Sequence, residues 1–198
     1  MKKIPTLFVR EFLGDHSFIL TDKVTPGMEW VLQGEGVATV KTDGSCTAII
    51  DGVFYKRYDA KQGKQPPNGA IPCCEPDPIT KHWPHWVKVK ADDNANLWLL
   101  DAYKNSDGDK LSDGTYEAIG PHFQSNPYGL TKDVLERHGA KIIDVPRTFE
   151  GIKNYLEKNN IEGIVFWKDG EPKCKIKRRD FGFCWNKGNI DTKVKVKK

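Results

Sequence analysis

The sequence predicts an α+β domain built on antiparallel sheet, and three observations carry that expectation. Asp-Gly pairs punctuate the chain at Asp43-Gly44, Asp51-Gly52, Asp107-Gly108, Asp113-Gly114 and Asp169-Gly170. Most are flanked by alternating or β-branched runs, the pattern of hairpin turns. Clear helical periodicity is confined to one stretch, and no strand–helix–strand alternation marks a parallel sheet.

Taken in order, the alternating runs predict strands at 7–12, 37–41, 46–50, 53–58, 86–90, 97–103, 115–119, 163–167 and 173–177. Residues 148–159 read as a helix, with Thr148 as N-cap and Ile152, Tyr155 and Leu156 on one face. A second helix is expected over 131–138, opened by Thr131 and closed by Gly139. Residues 61–84, rich in Pro, Gly, Gln and other polar residues, read as a long loop inserted between strands. We expect one domain over 1–186 and a basic tail over 187–198.

Composition narrows the class. A hydrophobic fraction of 38% with six Trp, nine Phe and six Tyr is enough for a core, while 29% charged residues predict a soluble chain. No apolar run approaches the ~20 residues that span a bilayer, and Met1-Lys2-Lys3-Ile4-Pro5-Thr6 leads into no apolar signal core. No membrane partner and an intracellular location, cytoplasm or nucleus, are expected. The five cysteines contain no CxxC pair and read as reduced thiols. Between Lys173 and Arg179 five of seven residues are basic, and the tail adds five lysines against one Asp, a distribution suited to a polyanion.

Particular residues suggest what is done to that polyanion. In Lys41-Thr42-Asp43-Gly44 a lysine ends one β-type run just before an Asp-Gly turn, at the mouth of an expected hairpin. An amine that attacks a phosphorus must be neutral, although a free lysine has a pKa near ~10.4. Neighbouring cations or desolvation lower it. Arg57, near the end of the next strand, is a phosphate ligand candidate. Glu117, in Gly114-Thr115-Tyr116-Glu117-Ala118-Ile119-Gly120, is a lone acid in an apolar strand, and Glu162 directly precedes the run Gly163-Ile164-Val165-Phe166. Lys175 and Lys177 flank Ile176, so period-two geometry sends both to one face, where two like charges are tolerable if that face meets phosphates.

The order Lys-x-Asp-Gly, Tyr-Glu-x-x-Gly, Glu-Gly-Ile-Val-Phe and Lys-x-Lys resembles the covalent nucleotidyltransferase superfamily of ligases and capping enzymes. Three longer segments resemble the ATP-dependent 5′–3′ RNA ligases typified by vertebrate RNA ligase 1. They are Tyr58-Asp59-Ala60-Lys61-Gln62-Gly63-Lys64, Cys74-Glu75-Pro76-Asp77-Pro78-Ile79-Thr80-Lys81-His82-Trp83-Pro84 and Lys177-Arg178-Arg179-Asp180-Phe181-Gly182. The resemblance spans roughly residues 30–185 and implies an antiparallel-sheet adenylation fold, ATP-grasp-like, with a few flanking helices.

It also implies a three-step reaction. Lys41 takes AMP from ATP, AMP passes to an RNA 5′-phosphate, and a 3′-hydroxyl then seals the strand. By the same resemblance Asp43 orients groups near Lys41, Glu117 contacts the ribose, and Arg57 binds phosphate. Lys175 and Lys177 hold the α-phosphate, and Glu162 binds Mg²⁺ or Mn²⁺, with Glu35 as a candidate second metal carboxylate. The implied partner is RNA with 5′-phosphate and 3′-hydroxyl ends, acted on by a monomer in RNA repair. Rival expectations are a capping guanylyltransferase, a DNA ligase, or an RNA-binding module without catalysis. The family stacks adenine on an aromatic ring, and Phe123, Tyr128, His138 and Phe149 all fall in the right interval. With about a dozen residues after Trp185, a stand-alone catalytic domain is expected.

Other patterns carry less. Cys73, Cys74, His82 and His85 match no zinc-knuckle spacing. Asn105-Ser106-Asp107-Gly108-Asp109 opens like a calcium loop, but Lys110 stands where that loop needs Gly and Tyr116 where it needs Glu.

Overall fold

The computed structural model describes residues 3–14, 17–61, 63–78 and 80–185, so the basic tail predicted over 187–198 lies outside the described residues. In chain order the elements are β1 (Phe8–Phe12), β2 (Phe18–Val24), β3 (Val37–Lys41), β4 (Ser45–Ile50), β5 (Val53–Ala60), β6 (Ile71–Pro72), β7 (Trp83–Lys88), α1 (Leu97–Asn105), β8 (Gly114–Ile119), β9 (Val134–Arg137), β10 (Ile142–Ile143), α2 (Phe149–Lys158), β11 (Gly163–Lys168) and β12 (Glu171–Lys177). Every pairing between these strands is antiparallel, which with two helices among the described residues makes a mixed α+β protein. No helix among the described residues is long and apolar enough to cross a membrane.

The chain divides into two compact units, one on Asp43–His138 and the other on Ile4–Thr42 with the chain from Gly139 onward. The first is built on a six-stranded sheet of order β6-β7-β5-β4-β8-β9. One face of this sheet sends Ile49, Phe54, Tyr116, Ala118 and Leu135 against Leu99 and Ala102 of α1. The β4–β5 turn is Asp51-Gly52 with φ of 50° and 70°. Positive φ at both central residues is what a two-residue hairpin turn demands, and Asp-Gly supplies it at low cost.

The second unit has a four-stranded sheet, β10-β3-β11-β12, beside the two-stranded β1-β2 ribbon. Asp169-Gly170, with φ of 54° and 73°, turns β11 into β12 in the same way. Alternation along these strands sends Ala38, Ile164, Phe166, Cys174 and Ile176 into a core closed by Ile152 and Leu156 of α2. The predicted cap is present, since the Thr148 hydroxyl accepts the Gly151 N–H at 3.1 Å. Beyond β12, the backbone of Lys175 bonds to Pro5 and Leu7 through a parallel bridge at Thr6, so Lys175 does not stand on a bare sheet edge.

Two elements correct the sequence reading. Residues 97–103 form helix, not strand. Asp93 accepts the Ala95 N–H at 3.0 Å at the entry, and the run that follows contains no β-branched residue. Its buried residues, Leu99 and Ala102, are three apart, the spacing of a helix face. Residues 131–138, read as helix, carry β9, because pairing with β8 satisfies that backbone and buries Leu135 in the core. Propensity loses to tertiary pairing there. β2 was not anticipated at all.

Candidate active site

Lys41, the last residue of β3, lies in register with Gly163 on β11, and Gly163 with Lys177 on β12. Glu162 precedes Gly163 and therefore enters between the two lysines. Its Oε2 accepts from Lys41 Nζ at 2.5 Å and its Oε1 from Lys177 Nζ at 2.6 Å. The Glu162 side chain is 5% exposed, with Lys41 at 20% and Lys177 at 14%. Burial by itself would raise the Glu162 pKa, but the two ammonium groups outweigh it and hold the carboxyl below its ordinary value. Gly163 is required here: a Cβ would stand 2.4 Å from the Ile176 carbonyl oxygen and 2.9 Å from Lys177 Cα.

Lys175 lies two residues before Lys177 on the same face. Desolvation and then the charges of Lys177 and Lys41 bring its pKa down to about 8. Desolvation, opposed by Glu162, also lowers Lys177. Arg10, which the sequence gave no reason to single out, and Asp180 complete the cluster. Arg10 of β1 donates to Asp180 Oδ1 at 2.6 Å, and the other oxygen of this buried carboxylate accepts the Lys177 N–H at 2.8 Å. Four cations, Lys41, Lys175, Lys177 and Arg10, thus face two carboxylates, Glu162 and Asp180. The cations outnumber the carboxylates, and all four are partly buried.

The expectation that Lys41 sits at the mouth of a hairpin fails. β3 and β4 do not pair; they belong to different sheets, and Asp43-Gly44 links them instead of turning one onto the other. Glu35 is not brought to Glu162 either. It pairs with Lys168 at 2.7 Å, at the far end of β11 from Gly163. Five residues of strand amount to roughly 16 Å, too far for both carboxylates to hold one ion. Arg178 donates to the carbonyls of Leu156 and Asn159, so it caps the end of α2.

The remaining predicted residues belong to the six-stranded unit. Glu117 on β8 stands directly across from Cys46 on β4 and Glu136 on β9. Its Oε1 accepts the Gly44 N–H at 3.1 Å, and its Oε2 lies 2.6 Å from His138 Nε2. Asp43 donates its backbone N–H to the Tyr128 hydroxyl at 2.6 Å, and Gln124 donates to the Gly44 carbonyl at 3.2 Å. A Cβ on Gly44 would meet the Ala118 carbonyl oxygen at 2.2 Å. The Asp43-Gly44 segment is therefore clamped onto β8 by a carboxylate, a phenol and a close backbone approach that only glycine permits.

Arg57 on β5 makes a forked contact with Asp59, at 3.0 and 3.2 Å, and lines a cavity of about 320 Å³ with Ser45, Cys46, Lys56 and Leu99. Of the four aromatic candidates for stacking a base, Phe123 is buried in the first core and Phe149 packs on Phe8 and Phe181 in the second. Tyr128 bonds to Asp43, and His138 to the Glu117 carboxylate that holds Gly44. Cys46 was missed as a site residue because it is isolated in the sequence; strand register brings it to Glu117, where His138, a candidate for the adenine ring, also lies.

No protein-family model matches the chain, and no curated protein does.

Proposed function

We propose that this chain is an ATP-dependent RNA ligase of the covalent nucleotidyltransferase type, joining RNA 5′-phosphate and 3′-hydroxyl ends. The observation that carries this reading is the Lys41–Glu162–Lys177 cluster, with Lys175 and Arg10 beside it. It supplies an amine held in a fixed position and surplus positive charge in one partly buried place.

In the first step Lys41 Nζ attacks the α-phosphorus, a P–N bond forms and the bond to pyrophosphate breaks. Glu162 Oε2, in contact with that nitrogen, accepts the proton that the ammonium must lose for its lone pair to reach phosphorus, and passes it to solvent. Lys175 and Lys177 face the α-phosphate and stabilise the charge that builds on its oxygens. An RNA 5′-phosphate oxygen then displaces Lys41 from phosphorus, returning the amine to Glu162. Finally a 3′-hydroxyl attacks the activated 5′-phosphorus and AMP leaves. In the same reading Glu117 holds the ribose, Arg57 a phosphate, and Tyr128 or His138 the adenine.

Mg²⁺ or Mn²⁺ would take Glu162 as a ligand only if Lys41 or Lys177 released it, since both carboxylate oxygens are held by ammonium groups. Bound there, the ion would neutralise triphosphate charge.

The test is a gel assay of 5′-phosphorylated RNA with ATP, GTP or NAD as cofactor. Sealed product with ATP from the wild type and none from Lys41→Ala is the expected result. Label carried only from GTP would make the chain a capping enzyme. RNA binding with no covalent nucleotide from any of the three would leave a binding module.

A further inference from the structure

We propose that Cys46, Glu117 and His138 form a binding site for a thiophilic divalent cation of the Zn²⁺ type. One ligand atom from each, a sulfur, a carboxylate oxygen and an imidazole nitrogen, all lie within 4.8 Å of one another. Around a tetrahedral zinc with bonds of about 2.0–2.3 Å, neighbouring ligand atoms stand roughly 3.2–3.8 Å apart. The most widely spaced of these atoms must therefore close by up to about an ångström, while Glu117 Oε2 and His138 Nε2, 2.6 Å apart, must open by about half an ångström or more.

The scaffold is rigid. Cys46 and Glu117 are directly opposed on paired strands, and His138 follows the end of β9, which pairs with β8 on its other edge. Its backbone N–H bonds to the Thr115 carbonyl at 3.0 Å. Gly44 holds one Glu117 oxygen in place, the outer-shell support that ligating carboxylates commonly have. The His138 ring has spare capacity as well. One nitrogen is on Glu117, and the other is buried with no partner among the described residues.

Donor chemistry chooses the ion. Mg²⁺ and Ca²⁺ take oxygen ligands, whereas a mixed sulfur, nitrogen and oxygen set selects zinc-like ions. Three protein ligands leave a fourth position for water or an anion. Since Glu117 is also the ribose ligand of the proposed function, zinc and nucleotide compete for it. That competition rests on the ligase reading, whereas the cation site does not.

Titration with Co²⁺, a spectroscopic stand-in for Zn²⁺, tests the site on the intact protein. We expect sulfur-to-cobalt charge-transfer absorption that Zn²⁺ abolishes, lost in Cys46→Ser and retained in Cys73→Ser. His138→Gln should bind at least ~10-fold more weakly. As a check that does not depend on the cobalt spectrum, Zn²⁺ should raise the melting temperature of the wild type but not of folded Cys46→Ser. Absorption that survives Cys46→Ser, or no cobalt–sulfur absorption in the wild type, overturns the site. If the site holds but ATP fails to displace the ion and leaves no AMP on the protein, the ligase reading fails and the metal site stands.

Discussion

The two buried glutamates use the same carboxylate in opposite ways. Glu162 is saturated by the ammonium groups of Lys41 and Lys177, whereas Glu117 holds a backbone N–H and an imidazole. The first organises charge, and its surroundings carry cations to spare. The second organises backbone, clamping the segment that follows Lys41. A carboxylate in or beside a strand thus takes its role from the residues on the neighbouring strands.

Neutralising each carboxylate should break the comparison most sharply. Glu162→Gln leaves two largely buried lysines without a counter-charge and should cost about 3 kcal/mol or more of unfolding free energy. Glu117→Gln still offers Gly44 an oxygen and should cost only about 1 kcal/mol; urea denaturation measures both. The sign with pH follows from Glu162's lowered pKa. Its contribution is complete above about 4.5, the unfolded value, and is lost as pH falls through the lower folded value. Wild type and Glu162→Gln should therefore converge in acid, and a gap that persists there would show that the ion pairs are not its source.

Beside each acid stands a glycine. Gly163→Ala and Gly44→Ala drive a Cβ to 2.4 and 2.2 Å from backbone carbonyl oxygens, and each should lose about 1–3 kcal/mol. Equal melting temperatures for wild type and either variant would contradict that packing. Tyr128→Phe removes the partner of the Asp43 N–H, with an expected loss of about 1 kcal/mol. Hydrogen exchange of the Asp43 amide should accelerate in that variant.

The last effect concerns Lys175, whose pKa falls from 10.5 to about 8. Between those values the unfolded chain binds the extra proton, so this group's contribution to stability rises with pH from about 8 to 10.5. Lys175→Met should flatten that rise in a melting-temperature profile. A profile identical to wild type would contradict the burial and the cationic surroundings that lower it.

Much of the charged cluster was legible in the sequence because strands alternate with a period of two. Lys175 and Lys177 had to share a face, and Glu162 had to enter where its strand began. What was not legible depends on which strands pair. Asp43-Gly44 reads as a hairpin turn until β3 and β4 are seen in different sheets, and Glu35 reads as a metal ligand until Lys168 holds it at the opposite end of β11. Cys46 and Arg10 carry no local pattern, so only long-range contacts reveal them. The helix over residues 97–103 was misread because a short Leu-rich run fits a buried strand as well as a helix.

The central claim is that Lys41 is a nucleophile toward ATP. Intact-mass spectrometry after incubation with ATP and Mg²⁺, followed by peptide mapping, tests it directly. The account predicts a single AMP adduct on Lys41, absent from Lys41→Ala. An unmodified protein, or AMP on any other residue, would contradict it.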